Sequence, residues 1–194
     1  FKRYTMPFIH KRRNTVSASI TDIEEGPLGN VWVASYDSGV GKVDVEGQEI
    51  QVFGRGTTHQ DTLNIPRVYR LLKDRFERLW IISSSEGVFY LDKGSLKFEH
   101  REIQGGIEKG LIQVARDNQG DFWFVRGKTL YKYRIQDSST VKMLDLPGPV
   151  RNLTFDAQQR LIVSIVDQGI WLLNETDIVL EPFFSQKQQQ DLSP

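Results

Sequence analysis

Short apolar runs separated by turn-forming residues recur along the whole chain, and no capped segment of helical period interrupts them. The runs at 31–35, 79–83, 122–125 and 161–165 are nearly all apolar, the pattern of a strand covered on both faces. They sit in look-alike stretches. Trp32 lies in Gly29-Asn30-Val31-Trp32-Val33-Ala34-Ser35, Trp80 in Arg78-Leu79-Trp80-Ile81-Ile82-Ser83, and Trp123 in Gly120-Asp121-Phe122-Trp123-Phe124-Val125. A further copy, Arg160-Leu161-Ile162-Val163-Ser164, has Ile162 in the tryptophan place. The markers are 48 (80−32), 43 (123−80) and 39 (162−123) residues apart, a period that belongs to propellers and other arrays.

Each repeat divides into four short strands, a to d. The first is expected at 17–23, 31–35, 40–45 and 49–53, and the second at 68–73, 79–83, 87–91 and 96–99. The third is expected at 110–116, 122–125, 129–134 and 141–144, and the last at 150–156, 161–165, 169–173 and 178–184. Punctuation repeats too. Asp74, Asp117 and Asp156 lie six positions before the marker, where a carboxylate can close the a–b turn. Gly39, Gly87 and Gly169 lie seven positions after it, where the b–c hairpin calls for positive φ. In the third repeat Leu130 holds that place and Gly127 sits in a shortened hairpin. The first repeat reads as carrying two extra residues near Pro27-Leu28 in its a–b turn.

The expected fold is therefore all-β: a β-propeller segment of four consecutive four-stranded blades, read as a fragment of a larger propeller. Blades are assigned to 15–54, 65–100, 109–145 and 148–184. Residues 1–8 read as the outer strand of a preceding blade, and 185–194 as a polar tail or linker. The chain lacks an initiator Met, which suggests a piece of something longer. Two uncovered blade faces are expected to drive self-association, most simply as a homodimer, unless residues 1–8 close against the last blade.

An apolar strand, Asp, a short gap, Gly, an apolar residue and Trp, followed by a small-residue strand and Gly-apolar, resembles the two-component regulator propeller repeat. Asp117-Asn118-Gln119-Gly120-Asp121-Phe122-Trp123 and Trp32-Val33-Ala34-Ser35-Tyr36-Asp37-Ser38-Gly39-Val40 carry the likeness best. The second repeat has Glu77 in the place of the a–b glycine, and the last has lost its Trp. The resemblance implies the periplasmic sensory part of an inner-membrane receptor, with a histidine kinase or diguanylate cyclase outside this chain. Its partners would then be the remainder of the parent receptor and a small ligand such as a saccharide or peptide.

Composition narrows the chemistry. Lys+Arg and Asp+Glu both number 25, so no net field draws in nucleic acid or an anionic membrane. His10-Lys11-Arg12-Arg13 is the one dense basic run and reads as a solvated loop. There is no Cys, which excludes disulfides, thiolate metal sites and Cys nucleophiles. No apolar stretch is long enough to span a bilayer, so this segment is expected not to insert into a membrane. His10, His59 and His100 are scattered over different repeats without acidic partners at ligand spacing, so no metal or cofactor is expected. Glu24-Glu25 reads as a turn facing water.

In propellers the b–c and d–a connections gather at one end of the blades, where ligands bind. Here they carry Tyr36, Asp37, His59, Arg67, Glu86, Arg126, Lys128 and Asp167, the candidate ligand-binding residues. No catalytic residue is assigned, and a non-enzymatic sensory segment is the preferred reading. The alternatives are a protein-interaction scaffold and an enzyme similar to streptogramin lyases. The latter resemblance implies a catalytic histidine in an acidic, magnesium-binding neighbourhood, for which His59 with Asp61 is the loop candidate.

Overall fold

The computed structural model describes residues 9–10, 15–16, 19–44, 49–53, 65, 67–95, 97–103, 113–174 and 178–183. Two compact units divide the chain, Phe1–Ile112 and Gln113–Pro194. The first contains a small ladder in which β1 (Ile9–His10) pairs with β2 (Thr15–Val16), so His10 of the basic run lies in a strand. The 1–8 strand and the 185–194 tail lie outside the described residues.

Two four-stranded antiparallel sheets make up the rest of the first unit. One is β3 (Ile20–Glu25), β4 (Val31–Ser35), β5 (Gly39–Asp44) and β6 (Glu49–Phe53). The other is β7 (Val68–Lys73), β8 (Leu79–Ser83), β9 (Gly87–Leu91) and β10 (Phe98–Arg101). The second unit holds β11 (Val114–Arg116), β12 (Phe122–Arg126), β13 (Thr129–Arg134) and β14 (Ser139–Asp145) in one sheet. Its other sheet is β15 (Val150–Phe155), β16 (Leu161–Ile165), β17 (Gly169–Asn174) and β18 (Val179–Pro182). Strands follow one another in chain order within every sheet, so these are four propeller-type blades. Trp32, Trp80, Trp123 and Ile162 all lie on the second strand of their blade, as the repeat register requires.

Pairing across each sheet defines two faces, because side chains alternate along a strand. In the first blade Ala34 lies opposite Val40 and Val40 opposite Phe53, so these share a face with Trp32. In the second, Leu71 lies opposite Ile81 and Leu79 opposite Leu91. Trp32, Ala34, Val40 and Phe53 pack with Leu71, Leu79, Ile81 and Leu91 in one buried core. Trp32 stacks on Phe53 at 5.5 Å between ring centroids and meets Phe98 of the next blade edge-on at 6.0 Å. The second unit repeats the rule: Trp123, Val125 and Leu130 of its first blade pack with Leu161, Val163, Ile165 and Leu173 of its second. Within each unit the tryptophan face of the first blade thus seats on the opposite face of the second.

The a–b turn shows why the aspartates recur. In each blade the turn's first amide donates to the carbonyl four residues on: Gly26 to Asn30, Asp74 to Arg78, Asp117 to Asp121 and Asp156 to Arg160. Asp74 also accepts the backbone amides of Phe76 and Arg78, the Arg78 Nε and, at 2.7 Å, the Trp80 indole Nε1. Asp117 accepts the amides of Gln119 and Asp121 and the Trp123 Nε1 at 3.0 Å. One carboxylate therefore closes the turn and satisfies the buried indole N–H. Lys132 adds a buried cation beside this pair, 3.0 Å from Asp117 and 3.7 Å from Asp121, with its ammonium 4.9 Å from the Trp123 ring centre. In the last blade, where Ile162 holds the marker position, Asp156 keeps the bond from Arg160 Nε at 2.7 Å, as Asp74 does with Arg78.

The first blade corrects one expectation. Its a–b turn is the same length as the others, a tight turn over Pro27–Gly29, with Gly26 in the aspartate's place. A Cβ on Gly26 would lie 2.1 Å from Trp32 Cδ1, so the indole occupies the space that a side chain would fill. Trp32 Nε1 consequently has no hydrogen-bond partner among the described residues. Glu24 and Glu25 are also not a free turn: they end β3, and Lys73 Nζ of the next blade donates to Glu25 at 2.8 Å. Strand ends differ modestly from expectation, the fourth strand of the second blade running Phe98–Arg101 and the last strand Val179–Pro182.

Candidate functional site

Antiparallel pairing places the start of each first strand beside the end of the second, and the backbone closes this end in all four blades. The amides of Tyr36, Ser84, Val125 and Val166 donate to the carbonyls of Ser19, Arg67, Gln113 and Pro149. Gly39, Gly87 and Gly169 take φ of 92°, 90° and 81° as the b–c turns require, and Gly127 takes 60° in the shortened hairpin.

Three residues of the first unit come together at this end. The Arg67 amide donates to the Tyr36 carbonyl at 2.6 Å, tying the first blade's b–c turn to the entry of the next blade. Arg67 itself is exposed and held in the left-handed region at φ 58°, a conformation that costs a non-glycine residue about 1 kcal/mol or more. The Tyr36 and Tyr69 rings meet edge-on at 5.4 Å. Burial pushes the Tyr69 phenol above its ordinary range, a hydrogen bond with Tyr36 adds to this, and the charge of Arg67 opposes it. Asp37 is half-buried in the same turn, whereas Glu86 is exposed in the b–c turn of the following blade. There Ser83 Oγ accepts the amides of Ser85 and Glu86, fixing that turn.

The second unit presents its own candidates. Arg126 and Lys128 are exposed on either side of Gly127, and the Lys128 carbonyl accepts the Leu146 amide at 2.6 Å. Asp167 is exposed at φ 59° in the b–c turn of the last blade. Its neighbour Gln168 donates to the Pro147 carbonyl at 3.3 Å, and a Cβ on Gly148 would fall 2.9 Å from Ile165 Cγ2. That glycine permits the close seating of the incoming loop.

Of the eight sequence candidates, Tyr36 and Arg67 are brought into one cluster. His59 lies outside the described residues, as does Asp61. Tyr69 was missed because it lies within a strand; its signal was an aromatic at a half-buried strand position beside Arg67. His100 is not at this end; it packs edge-on against Phe89 at 4.9 Å. Among the described residues no group of three or more His, Cys, Asp or Glu side chains converges as a metal site. The Tyr36–Arg67–Tyr69 cluster offers two phenol hydroxyls and a guanidinium on an aromatic surface. Such a set can donate and accept hydrogen bonds.

No protein-family model matches the chain, and no curated protein matches it. Solved structures do. The extracellular domain of BT4673 from B. thetaiotaomicron, assigned to a hybrid two component system, is 21% identical with a TM-score of 0.68, over 86% of this chain and 25% of that one. The extracellular domain of BT3049 from the same organism, also assigned to a hybrid two component system, is 18% identical with a TM-score of 0.67, over 83% of this chain and 23% of that one. Virginiamycin B lyase from Staphylococcus aureus is 17% identical with a TM-score of 0.67, over 95% of this chain and 59% of that one. The chain thus spans about a quarter of the length of the two extracellular domains. At these identities the likeness concerns the fold, and the fold is that of propeller blades.

Proposed function

We propose that the chain is a sensory propeller segment of a bacterial membrane-bound signalling receptor, working on the extracellular or periplasmic side and binding a small ligand without turning it over. The observation that carries this reading is the fold likeness to the extracellular domains of BT4673 and BT3049 over more than four-fifths of the chain. The ligand, a saccharide or peptide, would bind at the b–c end of the first unit, where Tyr36, Arg67 and Tyr69 converge. Asp37 and Glu86 would border it, while Arg126, Lys128 and Asp167 would serve as ligand contacts at the b–c turns of the second unit in their own right. Kinase or cyclase output would come from another part of the receptor.

The lyase likeness supports the same fold with a different use, so the test separates the two. Thermal melts of the chain against defined oligosaccharides and short peptides should give a ligand-dependent rise in Tm that Tyr36→Ala and Arg67→Ala abolish. Incubation with a streptogramin B antibiotic and Mg²⁺ should leave its ring closed, read by chromatographic retention and fragmentation because elimination gives a linear isomer of the same mass. Linearised product that disappears in a His59→Ala variant would replace sensing by lyase activity.

A further inference from the structure

Two backbone features of the second blade's entry hold Arg67 and Tyr69 in fixed directions. Ser19, Arg67, Gln113 and Pro149 occupy equivalent places, since their carbonyls accept the amides of Tyr36, Ser84, Val125 and Val166. Of these four only Arg67 takes a left-handed φ, at 58°, and its amide is held by the Tyr36 carbonyl at 2.6 Å. Strain kept at one blade entry and not at the others aims this side chain away from where an extended residue would send it. Tyr69 is the extra residue of its strand, because pairing shifts between Val68 and Arg70. A bulge of this sort re-aims its side chain. The first and last blades carry the same shift at Thr21 and Arg151, so Tyr69 is the aromatic among the three.

Val68, between Arg67 and Tyr69, is fully buried, and its carbonyl accepts the Thr21 hydroxyl of the first blade at 2.6 Å. Both neighbours are thus set on an anchored residue. The Tyr36 and Tyr69 rings meet edge-on at 5.4 Å. Burial holds the Tyr69 phenol above its ordinary range against the pull of Arg67, so its O–H stays protonated at neutral pH. The Asp22 carboxylate is committed elsewhere, accepting the Leu71 amide at 2.9 Å and lying 3.9 Å from Arg70. The exposed Arg67 guanidinium beside protonated phenols offers parallel N–H donors and an O–H donor. A planar carboxylate matches the fork of an arginine in this way. Asp37 and Glu86 in the adjoining turns oppose further negative charge, which favours a single carboxylate over a polyanion.

On the reading that the b–c end of the first unit is the ligand site, we infer that Tyr36, Arg67 and Tyr69 take a carboxylate of the ligand. This end then selects a saccharide or peptide bearing one carboxylate over its neutral counterpart.

Titration of the ¹⁵N-labelled chain tests it with two matched pairs of probes. One pair is cellobiouronic acid and cellobiose; the other is N-acetyl-trialanine and its C-terminal amide. In at least one pair the acid should shift the Tyr36, Arg67 and Tyr69 amides and bind at least about tenfold tighter than its neutral mate. The pair that responds identifies the source of the carboxylate. Arg67→Gly accepts the left-handed backbone without strain and removes the guanidinium, so it should bring the two affinities of that pair together. Unmoved amides in the a–b turns show that the variant's blades keep their fold. Equal affinities within both pairs, or a preference that survives Arg67→Gly, would overturn the carboxylate assignment while leaving a ligand site at this end. Cluster amides that none of the probes shifts would overturn the assignment and the site together.

Discussion

Asp74 accepts a hydrogen bond from the Trp80 indole Nε1, six positions on, at 2.7 Å between nitrogen and oxygen, while the same carboxylate holds the turn's own backbone. Turn closure and core packing are therefore one device. Asp74→Ala should remove about 1–3 kcal/mol more stability than Asp156→Ala, because only the former strands a buried indole N–H. Urea denaturation of both variants measures the difference, and equal losses would separate the turn from the core.

Trp80→Ala should cost about 3–5 kcal/mol through loss of a fully buried aromatic. The Phe substitutions are more diagnostic. Trp80→Phe loses an indole hydrogen bond, whereas Trp32→Phe removes an N–H that already lacks a partner among the described residues. Trp32→Phe should therefore be the milder by about 1–3 kcal/mol.

Gly26 gives a test with an unusual order. Any side chain there presses on the Trp32 ring, but an aspartate also supplies the acceptor that Asp74 and Asp117 supply in their blades. Gly26→Asp should be more stable than Gly26→Ala. The reverse order in thermal melts would show that the first blade's indole cannot adopt the bonded position.

The Tyr36–Tyr69 pair predicts a titration. Burial and the hydrogen bond with Tyr36 hold the Tyr69 phenol above its usual value, with Arg67 pulling it down. A folded-state pKa raised in this way contributes stability that is fully present below about pH 10 and is lost as pH rises through the folded value. Tyr36→Phe should move Tyr69 down toward the ordinary range, and Arg67→Ala should move it further up. NMR titration of ring-labelled tyrosine reads both shifts; no change in either variant would mean that the three residues do not form a cluster.

Much of the blade architecture was legible because strand period and turn chemistry are local. Trp32, Trp80, Trp123 and Ile162 fall on second strands, and Gly39, Gly87 and Gly169 take the positive φ their hairpins require. The apparent insertion at Pro27-Leu28 misled because Gly26 carries no carboxylate to mark the turn, although its amide bonds to Asn30 as the aspartates do. The indole–carboxylate bonds, the Lys132–Asp117 pair and the Tyr36–Tyr69 contact were not legible. They depend on which side chains converge across strands, and strand period does not report that. Arg67 was found as a loop residue, but its left-handed backbone and its bond to Tyr36 come only from the folded chain.

The most direct test of ligand sensing at the b–c end is an NMR titration of the ¹⁵N-labelled chain with the oligosaccharides or peptides that raise its Tm. The amides of Tyr36, Arg67, Tyr69 and Ser84 should shift together with one dissociation constant, while those of the a–b turns at Gly26, Asp74 and Asp117 stay in place. Shifts confined to the a–b turns, or an absence of binding across the whole panel, would contradict the assignment of this end as the sensory site.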